Sequence, residues 1–260
     1  MSENNYEEIQ ALMASTTPEE LHQGLVLVKQ EISRVGSEDA KPLFEMVSAI
    51  FYIDPLDHPE LVPIIDEAIS LVVGFGGWVI PILIENLDAG DLKAQLAIGH
   101  ALGRIGADAI EPLVAEYEAT TDPALRMFVL YALGKIKSPK IIRAAPLALE
   151  AARSPDLELR DTATRAIGKF VESIPPSELS PQQLAAFIDM LRINLADPSP
   201  GVRAKAVRSF GKLAKFGFLN AEQRAELKSL CELVLGIDEN FDWDRAYIVR
   251  KEAQEALKYT

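Results

Sequence analysis

The chain has little of what most sites of covalent or metal chemistry require. Its 260 residues include one cysteine, Cys231, and three histidines, at positions 22, 58 and 100. A single cysteine excludes an internal disulfide, and no His-Glu pair occurs. No apolar run reaches the about 18 residues of a membrane-spanning helix, and the first ten residues lack the features of a signal peptide. We therefore expect a cytoplasmic protein with no membrane span.

Three stretches contain residue types that are used in metal binding, phosphate binding or catalysis, but each has a simpler interpretation. Asp54, Asp57 and His58 match no metal-ligand spacing and indicate a Pro-rich loop with a surface histidine. The glycine-rich residues 74–78 lack a phosphate-binding pattern and predict a tight turn between helices. Cys231 has no histidine nearby in sequence and is expected to be a small core residue. We expect no metal or cofactor, and whether the chain is an enzyme stays open.

The charge balance argues against general nucleic-acid binding. The chain has 39 acidic residues against 26 Lys and Arg, a net charge of −13. Binding to phosphates requires a positive field. A local basic patch remains compatible with this composition.

One helix pattern recurs along the chain. The stretch DPALRMFVLYALGKI at 122–136 has relatives at 91–105, 156–170 and 200–213. Each has a glycine eight residues after a position that we term the anchor. The anchor and glycine pairs are Gln95/Gly103, Arg126/Gly134, Arg160/Gly168 and Arg203/Gly211, with looser copies at Val28/Gly36, Asp66/Gly74 and Arg250/Lys258. The intervals of 29–47 residues are typical of a two-helix repeat.

The apolar spacing within each copy predicts a helix. Asp122 followed by Pro123 is a helix start, and a second helix with an early proline lies between copies, as in EPLV at 111–114. The recurring glycine suggests close backbone approach, and we expect Gly134 and Gly168 to lie at tight helix contacts. No sustained period-2 pattern predicts a strand, so the fold class is all-α.

These motifs resemble HEAT repeats of the phycobilin-lyase-like subclass: Asp-Pro, an apolar–Arg pair, Ala-Leu-Gly, a turn and a Pro-containing helix. The resemblance is strong over 91–213 and weaker on either side. It implies a right-handed α-solenoid of about six to seven helix pairs, with the anchored helices on the concave side. We expect one domain over 1–260, with a cap at 1–23, repeats at 24–215 and a longer C-terminal part at 216–260.

Positive charge is concentrated on the anchored helices. The segments 91–105, 122–136, 156–170, 197–215 and 242–258 hold 16 Lys and Arg against 10 acidic residues, a net of +6. Positions five and nine after each anchor share one helix face. We predict a basic, partner-binding groove on the concave surface, in which Arg165, Lys169, Arg208 and Lys212 have their charges in solvent. Its residues are His100, Arg104, Tyr131, Lys135, Arg165, Lys169, Lys205, Arg208, Lys212 and Lys215. A structural alternative is that cations near helix C-termini merely complement the macrodipole.

The anchor arginines have a separate interpretation. Arg126, Arg160, Arg203 and Arg250 lie near helix starts, where Asp122 and Asp156 precede two of them by four residues. Paired charges suit partly buried arginines, so we predict an Asp–Arg ladder between adjacent repeats.

Three functions follow from these observations. The first is a non-catalytic protein-binding scaffold that takes an acidic partner segment, with Tyr131, Trp243 and Tyr247 as aromatic anchors. The second, implied by the resemblance alone, is a phycobilin-lyase-like subunit or chaperone that acts on a bilin-bearing phycobiliprotein. The third, nucleic-acid binding as in HEAT-like DNA glycosylases, is disfavoured by the net charge.

Overall fold

A computed structural model of the chain describes residues 3–88, 90–237 and 243–260. Within these ranges the chain forms fourteen α-helices joined by turns and short 3-10 segments, and it contains no β-strand. The predicted all-α class is confirmed. No helix of the described ranges is long and apolar enough to cross a membrane. The predicted loop at 236–244 lies partly outside the described residues.

The chain divides into two compact units, Met1–Glu116 and Tyr117–Thr260. The helices of the first unit are α1 Glu3–Met13, α2 Pro18–Val35, α3 Lys41–Ala49, α4 Val62–Leu71, α5 Val79–Glu85 and α6 Leu92–Ile105. The next helix, α7, covers Ile110–Ala119, and the boundary between the units falls within it. One continuous domain, with its cap at 1–23 and C-terminal part at 216–260, stays a prediction.

The second unit contains the strongest copies of the repeat. Its helices are α8 Pro123–Leu133, α9 Ala145–Ala151, α10 Leu157–Phe170, α11 Pro181–Leu195, α12 Pro200–Lys215, α13 Ala221–Leu235 and α14 Tyr247–Ala256. Local chemistry fixes where several of these helices begin. The carboxylate of Asp122 accepts the N–H groups of Ala124 and Leu125, which leaves Pro123 at the first helical position, as predicted.

The helices that carry the anchor positions, α2, α4, α6, α8, α10, α12 and α14, pack side by side within each unit. In the first unit α4 packs against both α2 and α6. In the second unit α10 packs against both α8 and α12, and α12 also packs against α14. The intervening helices form a second layer, in which α9 packs on α10 and α11 on α12. The described residues thus contain α1, six helix pairs from α2 to α13 and the final helix α14, and the predicted solenoid-type repeat is confirmed.

Two of the recurring glycines allow close helix contact. A Cβ added to Gly168 of α10 would lie 2.9 Å from the Cα of Ser209 in α12, and one added to Gly211 would lie 2.9 Å from the Cβ of Ala256. The prediction for Gly168 is confirmed. It is wrong for Gly134, where the closest atom of another helix, Lys169 Cβ, would be at an ordinary 3.7 Å.

The predicted Asp–Arg ladder is present at two of the four anchor arginines, with different acids from those expected, whereas Arg126 pairs with Glu150 and Arg250 donates to the backbone oxygen of Asp244. Arg160 Nε donates to Asp197 at 2.6 Å, and Arg203 Nε donates to Asp244 at 2.6 Å. Each acid belongs to the turn before the next anchored helix, so each pair joins neighbouring repeats. Asp122 and Asp156 instead accept backbone N–H groups of their own helices, because a cap uses the carboxylate locally.

The other sequence interpretations outside the anchored helices also have clear outcomes. Cys231 is buried, and burial raises the pKa of its thiol to about 12, as suits a core residue. Residues 74–78 form the predicted turn, in which Gly76 adopts a positive φ of 82° and Trp78 packs edge-on against Phe44 and Phe75. No cluster of side chains that could hold a metal occurs in the described residues.

Candidate functional site

In the first unit the two predicted groove residues lie on α6 and have different surroundings. Arg104 donates to the backbone oxygen of Asp66 at 2.7 Å and also pairs with the Asp66 carboxylate, so it joins α6 to α4. His100 lines a mainly apolar cleft of about 270 Å³ together with Phe51, Val62 and Leu96. The charge of Arg104 is therefore neutralised within the first unit.

In the second unit most of the predicted cations form ion pairs within the protein. Lys205 Nζ lies 2.7 Å from Asp161, and Arg208 Nε donates to Glu252 at 2.8 Å. Lys169 and Lys212 both pair with Glu172. The prediction that the charges of Lys169, Arg208 and Lys212 stand free in solvent is wrong, because acids of the same or a neighbouring repeat reach them.

Glu172, in the turn after α10, is the centre of a cluster of three lysines. Its carboxylate oxygens lie 2.8 Å from Lys137 Nζ, 3.1 Å from Lys169 Nζ and 2.7 Å from Lys212 Nζ. Burial is the largest single influence and raises the pKa of Glu172, but the hydrogen bonds from Lys137 and Lys212 prevail and lower it to about 2. The Glu172 side chain, 16% exposed, is therefore ionised under all ordinary conditions.

Three predicted cations have no carboxylate partner among the residues that the structure describes: Lys135, Arg165 and Lys215. The ammonium of Lys135 lies 4.6 Å from the ring centroid of Tyr131. Lys215 lies 5.7 Å from the ring of Phe216 and 5.4 Å from that of Tyr259. Aromatic faces attract cations but carry no net charge, so the positive charge of these residues is not neutralised.

Lys135 and Arg165 meet in one cleft between α8 and α10. Its walls include Tyr131, Lys135, Thr162, Arg165 and Lys169, and its volume is about 20 Å³. Burial, followed by repulsion from Arg165, Lys169 and Lys137, lowers the pKa of Lys135 to about 8. Positive charges held together at a cost in free energy are typical of a site that an anion fills.

Two of the three aromatic residues singled out in the sequence are exposed near α14. Trp243 is 55% exposed and Tyr247 is 71% exposed. Tyr131 is half-buried in the cleft. Exposed aromatics at the end of a repeat array are suitable anchors for a partner.

The sequence analysis missed the acids that neutralise the groove. Asp161 and Glu252 lie one and two residues after the anchors Arg160 and Arg250, so they do not share a repeat position and form no column of acids that the pattern could reveal. Glu172 lies beyond the end of α10 and repeats nowhere else in the pattern. No sequence signal identified it, because its role depends on how far the lysines of two neighbouring repeats reach.

Comparison with known proteins supports the repeat assignment. Residues 80–168 match the family model of HEAT repeats. No curated protein matches the sequence. Among solved structures, a chain of the CpcE–CpcF phycocyanin lyase complex from Nostoc sp. PCC7120 is 18% identical, with a TM-score of 0.55 over 69% of this chain and 98% of that chain.

Two further structures share the fold. A chain of the Kap95p–RanGDP complex is 16% identical, with a TM-score of 0.63 over 98% of this chain and 36% of that one. An engineered protein is 16% identical, with a TM-score of 0.51 over 100% of this chain and 98% of its own. Residues 80–168 therefore match HEAT repeats, and the described anchored helices that follow pack side by side in the same way, as the sequence predicts.

Proposed function

We propose that the chain is a non-catalytic scaffold that binds an acidic segment of a partner protein along the anchored helices of its second unit. The observation that carries this proposal is a set of three cations: Lys135 in the turn after α8, Arg165 in α10 and Lys215 at the end of α12. None of the three has a carboxylate partner among the residues that the structure describes. Unneutralised charge on a surface favours binding of the opposite charge.

The spacing of these cations suits an extended peptide. Packed helices are about 8–10 Å apart, so crossing from α8 to α12 takes roughly 20 Å. An extended chain advances about 3.3 Å per residue, so about six residues reach across. Exposed Trp243 and Tyr247 lie beyond the basic residues and would contact apolar residues that flank the acidic segment.

The paired cations contribute differently. Lys205, Arg208 and Lys212 join neighbouring anchored helices through their acids, and Lys169 pairs with Glu172 in the turn after its own helix. In this proposal they shape the surface, while Lys135, Arg165 and Lys215 supply most of the attraction. Tyr131 contributes contact area rather than charge. His100 and Arg104 belong to the first unit and are not part of the proposed surface.

A charge-matched comparison tests the proposal. Binding of a hexaglutamate peptide, with hexaglutamine as reference, is measured by calorimetry at low and moderate salt. The triple variant Lys135→Gln/Arg165→Gln/Lys215→Gln should bind hexaglutamate at least tenfold more weakly and with less salt dependence. The control removes three charges from exposed positions elsewhere in the unit, Lys140→Gln/Arg153→Gln/Lys228→Gln, and should bind like the parent. Equal weakening in both variants, or no binding by the parent, would refute the proposal.

A second candidate is the handling of a bilin-bearing protein. It is supported by the sequence resemblance over 91–213 and by the fold likeness to a phycocyanin lyase complex. Mixing the protein with a free bilin tests it directly. A shift and sharpening of the visible absorption band would favour this candidate, and an unchanged spectrum at excess protein would remove it.

A further inference from the structure

The cleft between α8 and α10 holds more positive charge than its acids neutralise. Lys135, Arg165 and Lys169 line it, and Lys137 and Lys212 lie beside it on the same carboxylate, Glu172. These five cations face a single acidic side chain, since Arg208 and Lys205 are neutralised by Glu252 and Asp161.

Helix ends account for only part of the remainder. The C-terminal ends of α8, α10 and α12 each contribute roughly half a negative charge to the nearby lysines. Subtracting these three half charges from the four uncompensated cations leaves an excess of about two and a half positive charges. Arg165 lies a full turn before the end of α10, so the macrodipole explains it least. A bound dianion would neutralise most of this excess.

The cleft is also small. A volume of about 20 Å³ accepts one or two groups of the size of a water molecule. That is enough for one or two oxygens of a tetrahedral or planar oxyanion, with its other atoms at the mouth of the cleft, and too little for a nucleobase or a sugar. Lys135, Arg165 and Lys169 carry N–H donors, and Thr162 adds a hydroxyl to the wall.

We propose that this cleft binds one phosphate group, presented as a phosphomonoester on the acidic partner segment. A phosphomonoester carries about −1.5 to −2 charges near neutral pH and would neutralise most of the excess, whereas one carboxylate would neutralise less than half of it. Guanidinium and phosphate oxygens form parallel hydrogen bonds, so Arg165 is the principal ligand and Lys135 the second. The inference rests on the proposed function for the source of the phosphate, although the cleft itself is testable alone.

Gly134 gives the cleft its floor. A Cβ at this position would lie 3.4 Å from the carbonyl oxygen of Tyr131 and 3.7 Å from Lys169 Cβ, so alanine fits the fold without a clash. The added methyl group would nonetheless occupy space in a cleft that has room for very few atoms. Gly134→Ala should therefore reduce phosphate binding while leaving the fold intact.

The experiment compares three ligands by calorimetry: an acidic octapeptide with one central serine, the same peptide with phosphoserine, and inorganic phosphate. Binding of inorganic phosphate is also followed by phosphorus NMR. The phosphopeptide should bind at least tenfold more tightly than the serine peptide. Arg165→Gln and Lys135→Gln should each abolish most of this gain, and Gly134→Ala should reduce it. Arg153→Gln, an exposed arginine outside the cleft, is the matched control and should retain it.

The outcomes separate this inference from the proposed function. If both peptides bind equally well, the phosphate inference is overturned and the acidic-segment proposal stands. If inorganic phosphate binds in an Arg165-dependent manner while neither peptide binds, the cleft is supported and the proposed function is overturned. A phosphate-dependent gain that survives the double variant Arg165→Gln/Lys135→Gln would also overturn the assignment to this cleft. Melting temperatures of all variants identify any that do not fold.

Discussion

The carboxylate of Glu172 lies 2.7 Å from the ammonium of Lys212, although the two residues belong to successive repeats. Lys137, which follows α8, and Lys169 of α10 bind the same carboxylate. One acid therefore connects three neighbouring anchored helices. Because the second unit depends on such contacts between repeats, this cluster should contribute to stability as well as to the shape of the surface.

Replacing Glu172 by glutamine should destabilise the protein by roughly 2–3 kcal/mol at pH 7, because Lys212 would be left partly buried without a counter-charge. The pKa of Glu172 is about 2 in the folded chain and about 4.5 when unfolded. Its stabilisation is therefore complete above pH 4.5 and is lost as the pH falls from 4.5 to about 2. Urea unfolding of parent and variant between pH 7 and pH 3 measures this difference.

The exposed Glu178, in the same connection, provides the control for Glu172. Glu178→Gln should change the free energy of unfolding by less than about 0.5 kcal/mol. If Glu172→Gln behaves like Glu178→Gln at pH 7, the cluster does not stabilise the fold.

Reversing the charge of Arg208 should harm folding, contrary to what the sequence alone suggests. Arg208 donates to the buried carboxylate of Glu252, so Arg208→Glu would bring two carboxylates together and cost roughly 2 kcal/mol or more. Arg165→Glu is the matched comparison, since no carboxylate partner is lost there, and it should cost less than about 1 kcal/mol. The measurement is chemical unfolding at pH 7.

A charge swap separates the ion pair from other effects of the substitution. Arg208→Glu/Glu252→Arg should recover at least half of the lost stability, because the pair is restored in the opposite sense. A swap variant no more stable than Arg208→Glu would show that local packing, not the pair, causes the loss.

The helices, their starts and their layer were predictable because each depends on local chemistry repeated along the chain. Asp122 with Pro123 defines a helix start, and Gly168 marks a close approach, wherever the neighbouring repeats lie. The state of each cation was not predictable in this way. Whether Lys212 pairs with Glu172 or faces solvent depends on the distance between the two side chains across a helix contact. The alignment of equivalent repeat positions does not give that distance. Lys135 and Lys169 occupy the same repeat position, yet only Lys169 has an acid within reach.

The recurring glycines should differ sharply in their response to alanine. Gly168→Ala should destabilise by roughly 1–3 kcal/mol, because its Cβ would lie 2.9 Å from the Ser209 Cα and force α10 and α12 apart. Gly134→Ala should be neutral or stabilise by up to about 1 kcal/mol, since the backbone there is already helical, with φ at −65°. Thermal unfolding of the two variants, side by side, distinguishes them. Equal responses would mean that the close approach at Gly168 does not limit packing.

The pH dependence of Lys135 should reveal the repulsion within the cleft. Its pKa is lowered to about 8, first by burial and then by Arg165 and Lys169 of α10 and by Lys137, while the ring of Tyr131 in the preceding helix α8 lies 4.6 Å from its ammonium. The folded state therefore resists protonation of Lys135. The penalty is fully present below pH 8 and disappears as the pH rises towards the unfolded value of about 10.5.

Lys135→Gln removes this penalty, so the variant should be more stable than the parent at pH 7, by about 0.5–1 kcal/mol because solvent screens part of the repulsion. The advantage should shrink between pH 8 and pH 10.5, as the parent loses the proton on its own. Lys140→Gln, at an exposed position, should match the parent at both ends of this range.

Direct titration of the Lys135 side chain by NMR provides the independent measurement, and a pKa near 10.5 would contradict the repulsion within the cleft. Adding phosphate should raise the measured value in the parent, because an anion in the cleft favours the protonated lysine, and it should have no such effect in Arg165→Gln if Arg165 is the principal ligand.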